Sequence, residues 1–254
     1  MKQIINLSLV EQPRRYGEKY ALLRLAPTDN TPLPEAAPGA FVQIAVDVPG
    51  VFLRRPISVC DIDHNVLTLL VRDAGEGTHR LVCASKGDCF NVVMPLGHGF
   101  TLPSDPDTRV LLAGGGVGVA PLLYLGKKLK ERGISPTFIQ GARSAKDLLL
   151  TDEFAELGRV EVTTDDGSRG VHGVVTDHPV FAEDFDMIYC CGPSPMMRAV
   201  CRVAREKGIE AEVSLENMMA CGLGACLCCV EKTVKGNVCV CTEGPVFNIK
   251  ELTW

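Results

Sequence analysis

Val110-Leu111-Leu112-Ala113-Gly114-Gly115-Gly116-Val117-Gly118-Val119-Ala120-Pro121 is the stretch on which the architecture turns. Its apolar opening reads as a strand, the glycine run as a tight turn, and the segment from Ala120 as the start of a helix. A strand, a glycine turn and a helix N-terminus in that order present backbone amides that can hold a pyrophosphate. The spacing is not the strict dinucleotide fingerprint, so the motif alone also admits a tight turn without a ligand.

Downstream the same texture repeats. Thr137–Gln140, Val160–Thr163 and Met187–Cys190 read as strands, and residues 120–131, 148–157 and 195–207 as helices, the last stopping at Gly208, where a C-cap is expected. That alternation predicts a parallel α/β sheet. Cys191-Gly192-Pro193-Ser194-Pro195-Met196-Met197 again ends a strand and opens a helix, which puts Cys191 at the carboxyl edge of the sheet, where such folds bind ligands. Taken singly, Met196 and Met197 are ordinary helix core.

Upstream, Phe41–Val46, Val66–Val71 and Cys89–Met94 read as short strands separated by prolines and glycines, which predicts a small antiparallel barrel. The texture changes near residues 103–108, and after Glu212–Leu215 the pattern dissolves into a cysteine-rich tail ending at Trp254. The expected fold class is a two-domain α+β chain: an antiparallel β-barrel over 1–102, an α/β parallel-sheet domain over 103–215 and a small C-terminal subdomain over 216–254.

The 254 residues, 46% hydrophobic and 22% charged, suffice for two modest cores. A formal charge of −5 argues against nucleic acid, which needs a basic patch to displace phosphate counterions. Residues 1–15 hold no apolar run of signal-peptide length, so a cytoplasmic location is expected. Residues 110–126 approach membrane-spanning length but carry four glycines and Pro121 in their middle, so no membrane span is expected.

Of twelve cysteines, six crowd into residues 221–241. Cys221, Cys226 and Cys229 stand in the spacing C-x4-C-x2-C with Cys241 further on, the plant-type ligand pattern for a 2Fe-2S cluster. Gly222 and Gly224 in the loop let backbone amides approach the sulfur shell. A structural zinc site or thiols buried as small hydrophobes are the alternatives, though zinc sites usually pair two C-x2-C knuckles. Cys228 and Cys239 could each replace a neighbouring ligand, but are read as packed thiols.

In the barrel, Arg54-Arg55-Pro56-Ile57-Ser58-Val59 places an arginine and a serine an odd number of positions apart, so they address different parts of one long ligand. Leu70-Val71-Arg72 and then Gly75-Glu76-Gly77-Thr78 supply a turn whose amides suit a second phosphate. Each motif alone is also compatible with a solvated arginine and an ordinary turn.

The order of these motifs, Arg55-Pro56-Ile57-Ser58, Gly75 to Thr78, Gly114 to Pro121 and Cys191-Gly192-Pro193, resembles ferredoxin-NADP reductase and its relatives across nearly the whole chain. The tail, Cys221-Gly222-Leu223-Gly224-Ala225-Cys226-Leu227-Cys228-Cys229-Val230 closing on Cys241-Thr242-Glu243-Gly244-Pro245-Val246-Phe247, resembles the electron-transfer subunits of dihydroorotate dehydrogenase B. The resemblance implies an FAD-binding barrel, an NAD-binding domain and a 2Fe-2S tail. Arg55, Pro56, Ile57 and Ser58 would hold FAD, with Ser58 near its reactive edge; Leu70, Val71, Arg72, Gly77 and Thr78 would contact its other parts. Gly115 and Gly118 would approach NAD, and Cys191 would flank the nicotinamide, so Ser58 and Cys191 are the implied catalytic positions. Ile57 stands where the family's reductases usually carry an aromatic. NAD over NADP follows from the resemblance alone, because Arg143 could meet a 2′-phosphate.

The implied partner is an FMN-containing catalytic subunit, two copies of each forming a heterotetramer, with electrons passing through the cluster and FAD to NAD in pyrimidine biosynthesis. A related subunit of a sulfide dehydrogenase or ferredoxin:NADP oxidoreductase is the competing enzyme reading. A redox-sensing or structural zinc protein without turnover is the competing reading from another class.

Overall fold

The computed structural model describes residues 1–254. Seven strands build the first unit: β1 (Gln3–Leu9), β2 (Arg14–Tyr16), β3 (Tyr20–Pro27), β4 (Phe41–Ile44), β5 (Arg55–Asp63), β6 (Val66–Arg72) and β7 (Cys89–Leu96), with helix α1 (Glu76–Val82) before β7. Six of them close a ring in the order β1-β7-β4-β5-β6-β3, sealed by β1 against β3, and β2 extends β3 outside it. Every pairing in the ring is antiparallel. The residues decide the inside: along β3, Ala21, Leu23 and Leu25 are fully buried while Arg24 between them faces solvent. Each such leucine contributes about 1.5–3 kcal/mol of transfer free energy.

The second unit runs β8 (Val110–Gly115), α2 (Val119–Glu131), β9 (Thr137–Ala142), α3 (Thr151–Ala155), β10 (Arg159–Thr164), β11 (Val171–His172), β12 (Met187–Cys191), α4 (Ser194–Lys207) and β13 (Glu210–Ser214). Its strands are parallel in the order β11-β10-β9-β8-β12-β13. Chain order runs outward in one direction from β8 and in the other from β12, so the topological switch point lies between those two. Helix α4 ends on Gly208 in the left-handed conformation, with Ile209 N–H bonded back to the Ala204 carbonyl at 2.8 Å, as expected of a C-cap glycine.

Two expectations change. The helix read over 148–157 is confined to α3, because Leu148, Leu149 and Leu150 are core anchors and Leu150 takes a positive φ of 56° that no helix continues through. The tail does not dissolve: it folds into a hairpin of β14 (Val230–Thr233) and β15 (Gly236–Cys239), a short α5 (Val240–Glu243) and β16 (Val246–Asn248). Strand β16 returns antiparallel beside β13, as the edge strand of the α/β sheet.

The units share their cores. Phe41 and Leu96 of the barrel pack with Val213, Cys229 and Val240, while Tyr124 of α2 joins the barrel interior. Lys127 on α2 pairs with the buried carboxylate of Asp61 on β5. No helix is long and apolar enough to cross a membrane.

Candidate functional site

Strands β5 and β6 are ladder partners only as far as Val59 and Leu69. Beyond that rung Arg55–Ser58 pair with β4 and Leu70–Arg72 with β3, so the two strands part. The opening is a cleft of about 280 Å³ lined from the barrel by Pro56, Ile57, Ser58, Leu70 and Arg72. Pro56 is tolerated in mid-strand because the edge without its donor faces this gap. Val71 belongs to the barrel core, so only its main chain can serve a ligand.

Arg54 and Arg55 part company. Arg54 is committed to the barrel, donating to the Asn91 carbonyl at 2.7 Å and to its side-chain oxygen at 2.5 Å. Arg55 donates through Nη2 to the Leu53 carbonyl at 2.8 Å, while its buried Nε has no protein partner. Its side chain lies over Gly77 at the start of α1, where a Cβ would sit 2.9 Å from Arg55 Cδ. Thr78 braces the turn, its hydroxyl accepting from Ala74 N–H at 2.8 Å and donating to the Gly75 carbonyl at 3.0 Å. A lone guanidinium nitrogen beside a helix opening is a donor arrangement suited to a phosphate.

At the switch point, Gly114 faces Cys191 across the β8–β12 ladder. Gly118 must be glycine: a Cβ there would lie 2.6 Å from the carbonyl carbon and oxygen of Cys191, so its absence lets the opening of α2 close onto the end of β12. Gly115 abuts Met196, whose sulfur would be 2.6 Å from an added Cβ. Cys191 is buried opposite Ser214, and burial pushes its thiol well above the ordinary range, so it is a neutral group at the sheet edge. Val117 and Ala120 line the far side of the barrel cleft, which joins the switch point to the strands of the flavin motif. Arg143 is exposed past the end of β9.

The segment that leads from β13 into the cysteine loop lines the same cleft. Gly222 and Gly224 have φ of 68° and 85°, and the turns they permit aim amides at sulfur. Leu223 N–H donates to Cys221 Sγ at 3.3 Å, Gly224 N–H to Cys241 Sγ at 3.2 Å and Cys241 N–H to Cys229 Sγ at 3.4 Å. The amides around Cys221, Leu223 foremost, lower its thiol pKa to about 6, whereas burial raises that of Cys241 to about 12. Cys226 is exposed, while Cys229 and Cys241 are buried. Cys228 turns to the Met218 carbonyl at 3.6 Å and Cys239 to that of Gly224 at 3.8 Å. Amide donors on the sulfurs of Cys221, Cys229 and Cys241 fit the chemistry of an iron-sulfur centre, whose sulfur shell accepts such N–H bonds.

Residues the sequence did not single out complete the cleft. Glu216, Asn217 and Met219 follow β13 directly and line it from the tail, with Phe41 and Pro245 beside them. Solvent reaches Glu216, but protein surrounds most of it, which raises its carboxyl pKa while Arg72 pulls the value back. The one available signal was the polar pair Glu216-Asn217 between an apolar strand and the first ligand cysteine.

Residues 216–253 match the iron-sulfur cluster binding domain of dihydroorotate dehydrogenase B, and residues 112–202 match the oxidoreductase NAD-binding domain. The dihydroorotate dehydrogenase B (NAD(+)) electron transfer subunit of Listeria innocua is 41% identical over 226 residues, covering 86% of this chain and 88% of the relative. That of Shouchella clausii is 42% identical over 226 residues, covering 85% and 86%. Among solved structures, a chain from the NADH-dependent reduced ferredoxin-NADP oxidoreductase superposes with a TM-score of 0.87 and 34% identity, over 98% of this chain and 90% of that one. The flavohem-like FAD/NAD binding domain of nitric oxide dioxygenase from Vibrio cholerae shares the fold at a TM-score of 0.70 and 22% identity, over 82% of this chain and 98% of that one. With its cysteine loop, glycine turn and barrel cleft arranged as described, the chain belongs to the family of dihydroorotate dehydrogenase B electron-transfer subunits.

Proposed function

We propose that this chain carries electrons from the FMN of a dihydroorotate dehydrogenase catalytic subunit, by way of a 2Fe-2S cluster and FAD, to NAD+ in the synthesis of UMP. The observation that carries the reading is the one cleft in which the barrel strands, the glycine turn at the α/β switch point and the segment leading into the cysteine loop meet. Bound there, FAD supplies the conversion between one-electron and two-electron (hydride) transfer that a cluster and a nicotinamide cannot perform directly with each other.

This chain's residues take the following parts. Arg55, with Gly77 and Thr78, receives a phosphate of FAD, supported by the unpartnered Arg55 Nε. Pro56, Ile57, Leu70, Arg72 and the Val71 backbone border the flavin ring, and Ser58 offers its hydroxyl at the reacting edge. Gly115 and Gly118, by letting Met196 and the end of β12 pack against them, shape the switch point where NAD would bind, and Cys191, neutral and buried, would flank the nicotinamide. Cys221, Cys226, Cys229 and Cys241 hold the cluster. The roles divide near residues 102 and 215 into flavin, nucleotide and cluster parts. Dihydroorotate is oxidised on the partner, in a cytoplasmic heterotetramer of two subunits of each kind.

Co-expression with an FMN-containing dihydroorotate dehydrogenase tests the reading: the purified complex should reduce NAD+ with dihydroorotate, and neither subunit alone should do so. A complex that forms yet yields no orotate-linked NADH refutes it. The superposition on the ferredoxin-NADP oxidoreductase chain supports a second reading, a subunit serving a ferredoxin-linked partner. Reduced ferredoxin in place of dihydroorotate in the same assay separates the two.

A further inference from the structure

Gln43 on β4 is 1% exposed, and neither its side-chain nitrogen nor its oxygen has a hydrogen-bond partner. A buried amide left unpaired is unfavourable, and a hydrophobe of the same shape would pack there without that cost. Its surroundings say what the amide faces. Gln43 stands opposite Pro56 in the β4–β5 ladder, and directly opposed residues of an antiparallel pair share a face, so it lies on the face whose Pro56 and Ser58 border the flavin cleft. On its other side is the cysteine loop: a Cβ on Gly222 would be 2.9 Å from Gln43 Cγ and 3.0 Å from Nε2. Gly222 is next to Cys221, and its lack of a side chain lets the loop close on the amide. The rung is fixed from behind, since Arg54 donates to the Gln43 carbonyl at 3.4 Å while anchored to Asn91.

We propose that Gln43 is a positioning residue of the electron relay, its side-chain amide donating to the sulfur shell that the Cys221 loop holds and so setting the reduction potential of the cluster. The inference rests on the functional reading above. Nε2 abuts the loop, whereas Gln43 does not itself line the flavin cleft, which assigns the donor to the cluster side. An N–H donated to sulfur stabilises the more negative, reduced state, so it raises the potential.

The test is an EPR-monitored redox titration of the cofactor-loaded subunit. At an ambient potential near the wild-type midpoint, Gln43→Met should lower the ratio of reduced to oxidised cluster about tenfold, roughly 59 mV for one electron. The g-values should change, with FAD content and flavin midpoint unaltered. Gln43→Leu, which removes the donor at similar volume, should move the potential the same way and carries the test if Gln43→Met does not fold. A wild-type chain without a cluster signal sinks the functional reading itself. A wild-type cluster that titrates normally, beside a variant of identical midpoint and g-values or one in which only the flavin midpoint moves, overturns this inference alone.

Discussion

Replacing Arg55 by alanine is expected to weaken FAD retention without unfolding the barrel. The Arg55 side chain is half-buried, and its one bond within the protein goes to the Leu53 carbonyl of an exposed loop, so truncation leaves no buried partner stranded. What is lost is the charge-assisted contact that Nε and the remaining guanidinium face offer a phosphate, about 1.5–3 kcal/mol. That is roughly a tenfold to hundredfold rise in the Kd for FAD. Gly77→Ala should act through the same atoms, because the new Cβ would press on Arg55 Cδ at 2.9 Å and displace the guanidinium. The two losses should therefore not add in the double variant. Equilibrium dialysis of the FAD-loaded subunit, read by flavin fluorescence outside the membrane, gives the Kd directly. Undiminished retention in Arg55→Ala, with loss in Arg54→Ala, would refute the assignment and make the Asn91-bound arginine the phosphate ligand.

Cys221→Ser, Cys226→Ser, Cys229→Ser and Cys241→Ser should each abolish the cluster, because an alkoxide is a hard and poor ligand beside thiolates; Cys228→Ser and Cys239→Ser should retain it. Iron and acid-labile sulfide content decides, and full retention without Cys241 would overturn the ligand set. Leu223 is 52% exposed on the cysteine loop, so Leu223→Glu should leave both cofactors and NADH oxidation by an artificial acceptor nearly intact while dihydroorotate-dependent NAD+ reduction collapses; normal coupled turnover would place the partner elsewhere. Glu216→Gln should raise the thermal midpoint above pH 7, and the gain should fade as pH falls into the ordinary carboxylate range. A carboxyl whose folded pKa is raised binds its proton more tightly in the folded state, so its charged form subtracts stability only on the alkaline side. A gain that persists unchanged at low pH would mean the effect is packing.

What could be read from the sequence was what sits in consecutive residues. The C-x4-C-x2-C spacing, the glycine turn after Val110–Ala113 and the Arg55–Ser58 segment each carry their chemistry locally, and the structure brings the last two to one cleft. What escaped was assembled from distant parts. Leu148–Leu150 is an apolar run that fits a buried helix or a core anchor equally, and only the left-handed Leu150 decides between them. Strand β16 has three residues, too few for a periodic signal, and pairs with a strand on the far side of the cysteine loop. Glu216 became visible as a cleft residue only once the tail was placed against the barrel. Val71 shows the limit of a motif: its neighbours Leu70 and Arg72 line the cleft, and the pleat turns its own side chain inward.

The return of β16 beside β13 has an engineering consequence. Ser214 is directly opposite Val246, and Leu215 N–H bonds to the Pro245 carbonyl at 2.9 Å, so the chain leaves the sheet and re-enters it at one point. Everything between is a closed excursion whose ends already stand at hairpin distance. A two-residue type I′ turn such as Asn-Gly has the geometry to join those strand ends, yet it would remove Leu215, Glu216, Asn217, Met219 and Pro245, which wall the cleft. An exchangeable terminal therefore keeps residues 215–219 and Pro245 as its stems, and grafting other excursions between them would replace the one-electron end without touching the hydride end.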